Sequence, residues 1–414
     1  MKKVIIIGGG AAGMMCACHA ARNGARVELF EKNEKLGKKI FITGKGRGNL
    51  TNASDIDVVF NSICSNPKFM YSSLYSFTND DALKFFNDIG LGTKVERGNR
   101  VFPKSDHAYE ITDVLTREMK RLQVKIRLYT KVESLIIVKD ACEGVVTADG
   151  ERHIADAVVV ATGGFSYQST GSTGDGYKFA ESAGMKVTDI SPSLVPFNCK
   201  EKFVTEMQGL SLKNTGLELK DGKKVLYSDF GEMLFTHFGV SGPMILSASA
   251  RVARKFFGKE LRLVLDLKPA LSEEQLDARI IREFEENNKK EFKNSLSKMF
   301  PSKMIPVIIE RSGIDANKRC NVISHEERRR LVELIKHFDM TVTGLRDYNE
   351  AIVTKGGVSV KDINPTTMES KTCKNLYFAG ETIDIDCLTG GFNLQVAWST
   401  GVAAARAITE KERE

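Results

Sequence analysis

Short hydrophobic runs end in glycine turns near both ends of this chain. An apolar run at residues 4–7 meets the turn at 8–13, and a second run at 27–30 ends at Glu31. A fully apolar run at 157–161 also stops at glycines, and a late run at 376–379 ends in Gly380-Glu381. Such runs are typical of buried parallel strands that carry ligand at their carboxyl ends. The pattern predicts an α/β fold whose sheet is built from both ends of the chain.

The middle of the chain has a different pattern. Residues 80–89 and 108–122 have helical apolar spacing, and the second of these segments leads into a strand-like run at 124–128. Short β-like runs follow from about residue 191, and capping-box spacings at Ser272/Gln275 and Ser324/Glu327 then open amphipathic helices. We therefore predict four segments. They are the first part of the main domain at 1–190, a β insertion at 191–270, a helical insertion at 271–340 and the rest of the main domain at 341–414.

The first glycine turn has the spacing of a dinucleotide-binding motif. Gly8 would form the tight turn, Gly10 would let the backbone approach a pyrophosphate, and Gly13 would let the helix pack on the strand. The amides at the helix start suit a ligand with two negative charges. Glu31 follows where an acid accepts hydrogen bonds from a ribose diol and repels a 2′-phosphate. Glycine turns alone also arise for steric reasons, so the prediction depends on the order strand, turn, helix, strand and acid.

Two later features favour FAD over NAD as the resident dinucleotide. The glycine-rich stretch at 43–52 contains Lys and Arg, a composition typical of backbone wrapped around an anion. The late strand ending at Gly380-Glu381 is followed by a glycine-led helix, and no second G-x-G-x-x-G occurs within 191–340. This is the layout of two-dinucleotide-binding-domain flavoproteins, so a nicotinamide donor would dock only transiently.

Composition narrows the class of protein. The 414 residues are 42% hydrophobic and 27% charged, without an apolar run long enough to span a bilayer, so we expect a soluble protein. The eight cysteines lack metal-ligand spacing, which predicts no metal, no disulfide framework and a reducing, cytoplasmic location. The net charge of +7 is spread among interleaved acids and bases, so charge does not favour a nucleic-acid partner. The oligomeric state is not predicted.

Several motifs, in order over essentially the whole chain, resemble the BaiN/RdsA-type (YhiN-like) NAD(P)/FAD-dependent oxidoreductase family. They are GGGAAG at 8–13, TGKGRGNLTN at 43–52, VFPKSDHA at 101–108, ATGGFSYQSTGSTGDGY at 161–177, GEMLFTHFGVSGP at 231–243, VTKGGV at 353–358, TMESK at 367–371 and LYFAGETIDIDCLTGGFNLQ at 376–395. The resemblance implies a Rossmann-like FAD-binding domain interrupted by a small β-barrel and a helical part. It also implies NAD(P)H-dependent reduction of a conjugated C=C bond in a small apolar, steroid-like enone.

The resemblance further implies a set of FAD contacts. The pyrophosphate would be held by Gly8, Gly10, Ala12 and Gly13, and the pyrophosphate and isoalloxazine side by Gly44, Gly46, Arg47, Asn49 and Thr51. The adenosine half would be contacted by Glu31 at the ribose with Lys32 and Lys39 nearby, by Val132 at adenine, and by Ala161, Thr162, Gly163 and Gly164. The ribityl chain and flavin would be contacted by Gly380, Glu381, Gly391, Phe392 and Asn393. The family commonly has Cys where this chain has Gly48, so no role of that cysteine carries over.

Proton delivery to a substrate has four candidate residues in these motifs, His237, Tyr167, His107 and Lys45. Each is also explained as a packing or surface residue, and Cys387 is better explained as a packed thiol than as a redox partner. Two other functions remain open. One is an RNA-associated or tRNA-modifying flavoprotein, and the other is a non-enzymatic flavin redox sensor.

Replacing His237 with Gln tests the first of the proton-donor candidates. If His237 is the acid, substrate-dependent flavin reoxidation should slow at least about tenfold, because general acid–base groups typically contribute that much or more. Unchanged reoxidation kinetics in a stopped-flow measurement would remove His237 from the candidates.

Overall fold

The structure is a computed structural model that describes residues 1–255 and 259–410. The strands are β1 (Lys3–Ile7), β2 (Arg26–Phe30), β3 (Thr51–Asn52), β4 (Thr93–Glu96), β5 (Arg100–Pro103), β6 (Lys125–Arg127), β7 (Val132–Val138), β8 (Ala141–Thr147), β9 (Arg152–Ile154), β10 (Ala157–Val160), β11 (Ser191–Ser193), β12 (Phe197–Cys199), β13 (Ser211–Asp221), β14 (Lys224–Phe235), β15 (Gly239–Ser241), β16 (Leu261–Asp266), β17 (Phe338–Leu345), β18 (Val353–Lys355) and β19 (Leu376–Phe378). The helices are α1 (Ala11–Arg22), α2 (Lys38–Ile42), α3 (Ile56–Asn61), α4 (Tyr71–Ser76), α5 (Asn79–Asp88), α6 (Tyr109–Arg121), α7 (Asp175–Ser182), α8 (Lys202–Glu206), α9 (Pro243–Val252), α10 (Glu273–Glu286), α11 (Ile305–Ser312), α12 (His325–Lys336) and α13 (Phe392–Glu410).

A five-stranded parallel sheet forms the centre of the first compact unit, which comprises Met1–Ser193 and the chain from Asp347 onward. Its strand order is β19-β10-β1-β2-β6, so the late strand β19 joins strands from the first 160 residues. Val4, Ile5 and Ile6 of β1 are fully buried, as expected for a strand with neighbours on both sides and helices over the sheet. The predicted Rossmann-like α/β architecture is confirmed.

The second compact unit, Leu194–Arg346, contains a closed antiparallel barrel. Its strand order is β12-β15-β14-β13-β16-β17, and both predicted capping boxes open helices of this unit, α10 and α12. Strand β17 closes the barrel after these helices in sequence, so barrel and helices share one core. The predicted barrel insertion is confirmed, while its division into two subdomains at residue 270 stays a prediction.

Helix α13 is largely buried and packs along α1. The two backbones approach closely at Gly401, where an added Cβ would lie 2.6 Å from the Ala12 carbonyl oxygen. This contact holds the last helix against the helix that follows the first glycine turn. Within the described residues, no helix is both long and apolar enough to cross a membrane.

Replacing Gly401 with Thr is expected to lower the free energy of unfolding by about 2–3 kcal/mol, because the new side chain overpacks a backbone contact. The matched control is Gly10→Thr, where an added Cβ meets nothing within 4 Å. Both variants are compared as apoprotein, so that FAD binding does not contribute to stability. Since Thr and Gly are similar at a helix N-cap, the control should change the free energy of unfolding by less than about 0.5 kcal/mol. Equal denaturation midpoints for the two variants would contradict the packing argument.

Candidate functional site

A cleft of about 1300 Å³, part of it open to solvent, lies at the carboxyl ends of the parallel strands of the first unit. Residues that directly follow β1, β2, β10 and β19 line it, together with the first turns of α1 and α13. In open α/β sheets, ligands bind at this edge because loops from several strands converge there. The cleft is therefore the candidate dinucleotide site.

The turn between β1 and α1 presents bare backbone to the cleft. Gly8 has φ +104°, and a Cβ there would lie 2.5 Å from the Ala161 carbonyl oxygen. A Cβ on Gly13 would lie 2.0 Å from the Gly8 carbonyl oxygen, so strand and helix touch through these two glycines. By contrast, the ideal Cβ of Gly10 points into open space, and Gly10 has no side chain to cap the first amides of α1. Those amides are left to bind an anion such as a pyrophosphate.

Glu31 lies beside this turn at the end of β2. Its Oε2 accepts a hydrogen bond from the Gly9 amide at 2.8 Å, and its Oε1 accepts two from Asn33, from the amide at 2.8 Å and from Nδ2 at 2.7 Å. The carboxylate is thus fixed in one orientation at the cleft wall, and Oε2, which accepts only one of these bonds, keeps a lone pair for a ligand hydroxyl. This arrangement suits a hydroxyl of a ribose diol.

The open space at Gly10 gives a test of the fit to FAD. An ideal Cβ there meets nothing within 4 Å, and the first amides of α1 beside it have no side-chain cap. A pyrophosphate oxygen can therefore reach these amides without displacing protein atoms. The Thr162 hydroxyl oxygen, by contrast, is buried against Gly176, where an ideal Cβ would lie 2.4 Å from it. The residues around the first glycine turn thus fit a dinucleotide.

Two ion pairs cross the cleft lining. Lys39 Nζ lies 2.7 Å from Glu381 Oε2 and 2.6 Å from the hydroxyl of the buried Ser166, while the other oxygen of Glu381 accepts from the Thr354 amide. Lys32 Nζ lies 2.6 Å from Asp175 Oδ2. The sequence predicted Lys32, Lys39 and Glu381 as separate cofactor contacts, and the structure pairs each lysine with an acid.

The start of α13 is held by amide side chains. Asn393 accepts a hydrogen bond from the Cys387 amide at 2.9 Å and donates to the Cys387 carbonyl at 3.0 Å. The side chain of Asn49, in the orientation that satisfies its hydrogen bonds, accepts from the Gly391 amide at 2.9 Å. Asn49 and Gly391, predicted from two distant motifs, thus meet at one helix start.

Arg47 is placed differently from the prediction that it holds the pyrophosphate and isoalloxazine side. Its guanidinium pairs with Glu96 and with Asp106, and it stacks 4.3 Å from the ring of Phe102. The hydrogen bond from Arg47 holds the pKa of the Glu96 carboxyl below its ordinary value. Because two carboxylates occupy this guanidinium, the structure gives Arg47 a role in fixing the loop at 43–48.

Gly48, which stands where the family commonly has Cys, has no room for a side chain. Its φ is +78°, and a Cβ would lie 2.8 Å from Ile111 Cδ1 and 2.9 Å from Ala108 Cα. Helix α6 therefore occupies the space that a cysteine would need.

The four candidate proton donors are dispersed. Lys45 and His107 are exposed in the first unit, with Lys45 at φ +59° and the His107 ring stacked 5.2 Å from Tyr109. Tyr167 is half-buried at φ +51°, and His237 is exposed on the turn between β14 and β15 of the barrel unit. The described residues that line the cleft include none of these four, so their catalytic roles stay predictions. Burial raises the pKa of the Cys387 thiol well above its ordinary value, consistent with a packed thiol.

Thirteen of the predicted cofactor contacts line the cleft: Gly8, Gly10, Ala12, Glu31, Lys32, Lys39, Val132, Ala161, Thr162, Gly163, Gly380, Glu381 and Asn393. The others lie outside the lining: Gly13, Gly44, Gly46, Arg47, Asn49, Thr51, Gly164, Gly391 and Phe392. Sequence reasoning missed Asn33, Ser166 and Thr354. Asn33 could have been found from its place two residues after the acid, whereas the other two carry no sequence signal.

Comparison with known proteins places this geometry in context. A family model described as the HI0933-like protein Rossmann domain matches residues 2–407. The 3-dehydro-bile acid delta(4,6)-reductase of Clostridium scindens is 34% identical over 99% of this chain and 100% of its own. The ribosomal RNA dihydrouridine synthase of Haemophilus influenzae is 33% identical over 98% of each chain, and that of Escherichia coli is 30% identical over 97% of this chain and 96% of its own.

Solved structures share the fold at low identity. The 3-ketosteroid delta1-dehydrogenase from Sterolibacterium denitrificans superposes with a TM-score of 0.54 at 13% identity, over 99% of this chain and 100% of its own. The FrdA chain of Escherichia coli quinol fumarate reductase superposes with a TM-score of 0.53 at 14% identity, over 100% of this chain and 71% of its own. These likenesses support the flavoprotein fold that the sequence predicted.

Replacing Gly10 with Thr is expected to weaken FAD binding at least about tenfold, or 1.4 kcal/mol, because a side chain would fill the space beside the first amides of α1. Flavin fluorescence titration of the apoprotein measures the Kd. An unchanged Kd in a variant of unchanged stability would show that the pyrophosphate does not approach this turn.

Proposed function

The chain belongs to the HI0933-like Rossmann family, as its resemblance to BaiN/RdsA-type proteins indicated, and we propose that it is an FAD-dependent oxidoreductase that reduces a carbon–carbon double bond conjugated to a carbonyl group. The observation that carries the proposal is similarity, over nearly the whole chain, to two kinds of enzyme whose names describe such reductions. The cleft, with its fit to a dinucleotide, supplies the cofactor site.

The two named activities share one chemistry. The 4,6-double bonds of a 3-dehydro bile acid are conjugated with the 3-keto group, and the C5=C6 bond of uridine is conjugated with the C4 carbonyl. In both substrates the carbonyl withdraws electrons, so the far carbon of the double bond accepts hydride and the near carbon then accepts a proton. The reaction class is therefore better supported than the identity of any one substrate.

The proposed cofactor arrangement uses the residues of the cleft. The α1 amides would bind the pyrophosphate, Glu31 would bind the adenosine ribose, and the loop at 387–393 would hold the start of α13 near the flavin. FAD bound there would supply two-electron reduction, with NAD(P)H as a transient donor. The protein's own task is to orient the substrate and to exclude water.

A small apolar, steroid-like enone is the proposed substrate class. Two basic side chains in the motif region, Arg47 and Lys94, are paired with Glu96 and Asp106 and are therefore not free to bind RNA phosphates. This supports a small molecule over a polyanion. Reduction of RNA uridine is the competing outcome, and the experiment below separates the two.

Anaerobic stopped-flow measurement of the purified yellow protein tests the proposal in two halves. NADH or NADPH is expected to bleach the flavin. The reduced flavin should then be reoxidised at least about tenfold faster by a steroid 4-en-3-one than by the matched saturated ketone, a difference of 1.4 kcal/mol in the barrier.

The assignment of the electron donor and the assignment of the acceptor can be contradicted separately. If neither nucleotide bleaches the flavin, the donor assignment is wrong. If dithionite-reduced protein is reoxidised by ribosomal RNA transcripts and not by enones, the function is RNA reduction. If no acceptor reoxidises it, the enzyme assignment is wrong and a redox sensor becomes the better interpretation.

A further inference from the structure

Asn33 and Lys32 connect the end of β2 to a loop that borders the same cleft. This cover loop, residues 165–174, runs between β10 and α7, and its residues Thr170, Gly171 and Ser172 line the cleft with Glu31. We propose that Asn33 and Lys32 are cofactor-positioning residues that fasten the cover loop over the adenosine half of FAD and so set how slowly FAD leaves. The inference rests on the proposed binding of FAD in this cleft.

Asn33 couples the loop to the proposed ribose acid. Its Nδ2 group donates to Glu31 Oε1 at 2.7 Å and to the Thr170 carbonyl at 3.1 Å. One amide group therefore orients the carboxylate and fastens the loop at the same time. Gly171 makes the approach possible, since a Cβ there would lie 2.5 Å from Asn33 Nδ2.

Lys32 provides the second attachment. Its Nζ donates to the Thr173 hydroxyl at 2.6 Å and to Asp175 Oδ2 at 2.6 Å. The pair with Asp175 is partly buried, with 27% of the Lys32 side chain and 19% of the Asp175 side chain exposed. Such a pair is expected to stabilise the attachment of the loop more than a fully exposed pair would. Lys32 thus joins the segment after β2 to the end of the cover loop and to the start of α7.

The two halves of the cover loop are held by different neighbours. Its first half is held by Tyr348, because the Tyr167 amide donates to the Tyr348 carbonyl at 3.0 Å and the Phe165 ring packs edge-on with its centroid 5.0 Å from that of the Tyr348 ring. In its second half, Lys32 holds Thr173, which lies between two glycines of positive φ, Gly171 at +101° and Gly174 at +76°. Asn33 holds the carbonyl of Thr170 directly before Gly171, so the two contacts fix the chain on both sides of this glycine. Loss of either contact would let residues 171–174 open at the two glycines without unfolding the first half.

The test measures FAD release from holoprotein carrying Asn33→Ala or Lys32→Met. Dissociation, followed by recovery of flavin fluorescence after dilution, is expected to be about tenfold faster in each variant, with association little changed, because losses of contact act mainly on off-rates. Lys35→Met is the matched control. Lys35 lies in the same segment after β2, but it is outside the cleft lining, contacts the Phe41 ring and makes no contact with the cover loop among the described hydrogen bonds.

A second measurement reports the loop itself. FAD should slow hydrogen exchange of the backbone amides of residues 171–174 in the wild-type protein and should slow it much less in the two variants. Wild-type release rates in both variants, or equal acceleration by Lys35→Met, would overturn the proposal. If Asn33→Ala fails to fold, Lys32→Met alone decides. A wild-type protein that binds no FAD at all would instead overturn the proposed function.

Discussion

The close contact of backbone with backbone around α1 is the constraint on which the rest of the structure depends. The first glycine turn touches the end of β10 through Gly8, α1 touches that turn through Gly13, and α13 touches α1 at Gly401. None of these positions has space for a Cβ. The three contacts fix the axis of α1, so its first amides face the cleft, and Glu31 and the start of α13 are positioned around them.

The charges of the cleft follow a consistent arrangement. Each lysine in its lining pairs with an acid: Lys32 with Asp175, Lys38 with Glu34, Lys39 with Glu381 and Lys131 with Glu133. A bound pyrophosphate would therefore meet peptide dipoles rather than uncompensated side-chain cations. Peptide dipoles are held rigidly and need no reorganisation, which suits a site for a permanently bound cofactor.

The sequence predicted well whatever depends on local pattern. Apolar runs located the parallel strands, capping spacings located α10 and α12, and glycine spacing located the cleft. It could not reveal side-chain partners that lie far along the chain. Arg47 carries a basic side chain in an anion-binding motif, yet Glu96 and Asp106 reach it through the loops around β4 and β5, and no local signal reveals that pairing. The same holds for Ser166 and Thr354 beside Glu381.

The strand order has a consequence for how the protein is made. Strand β1 is synthesised first, and its neighbour β10 follows within the first 160 residues. The other neighbour of β10 is β19, and the last part of the cleft lining belongs to α13, so both come near the end of the chain. At typical rates the ribosome needs roughly 20–75 s to travel from β1 to β19. During that interval the cleft lacks the walls that the loop after β19 and the start of α13 contribute. The complete cleft therefore forms only after the chain has been synthesised to α13.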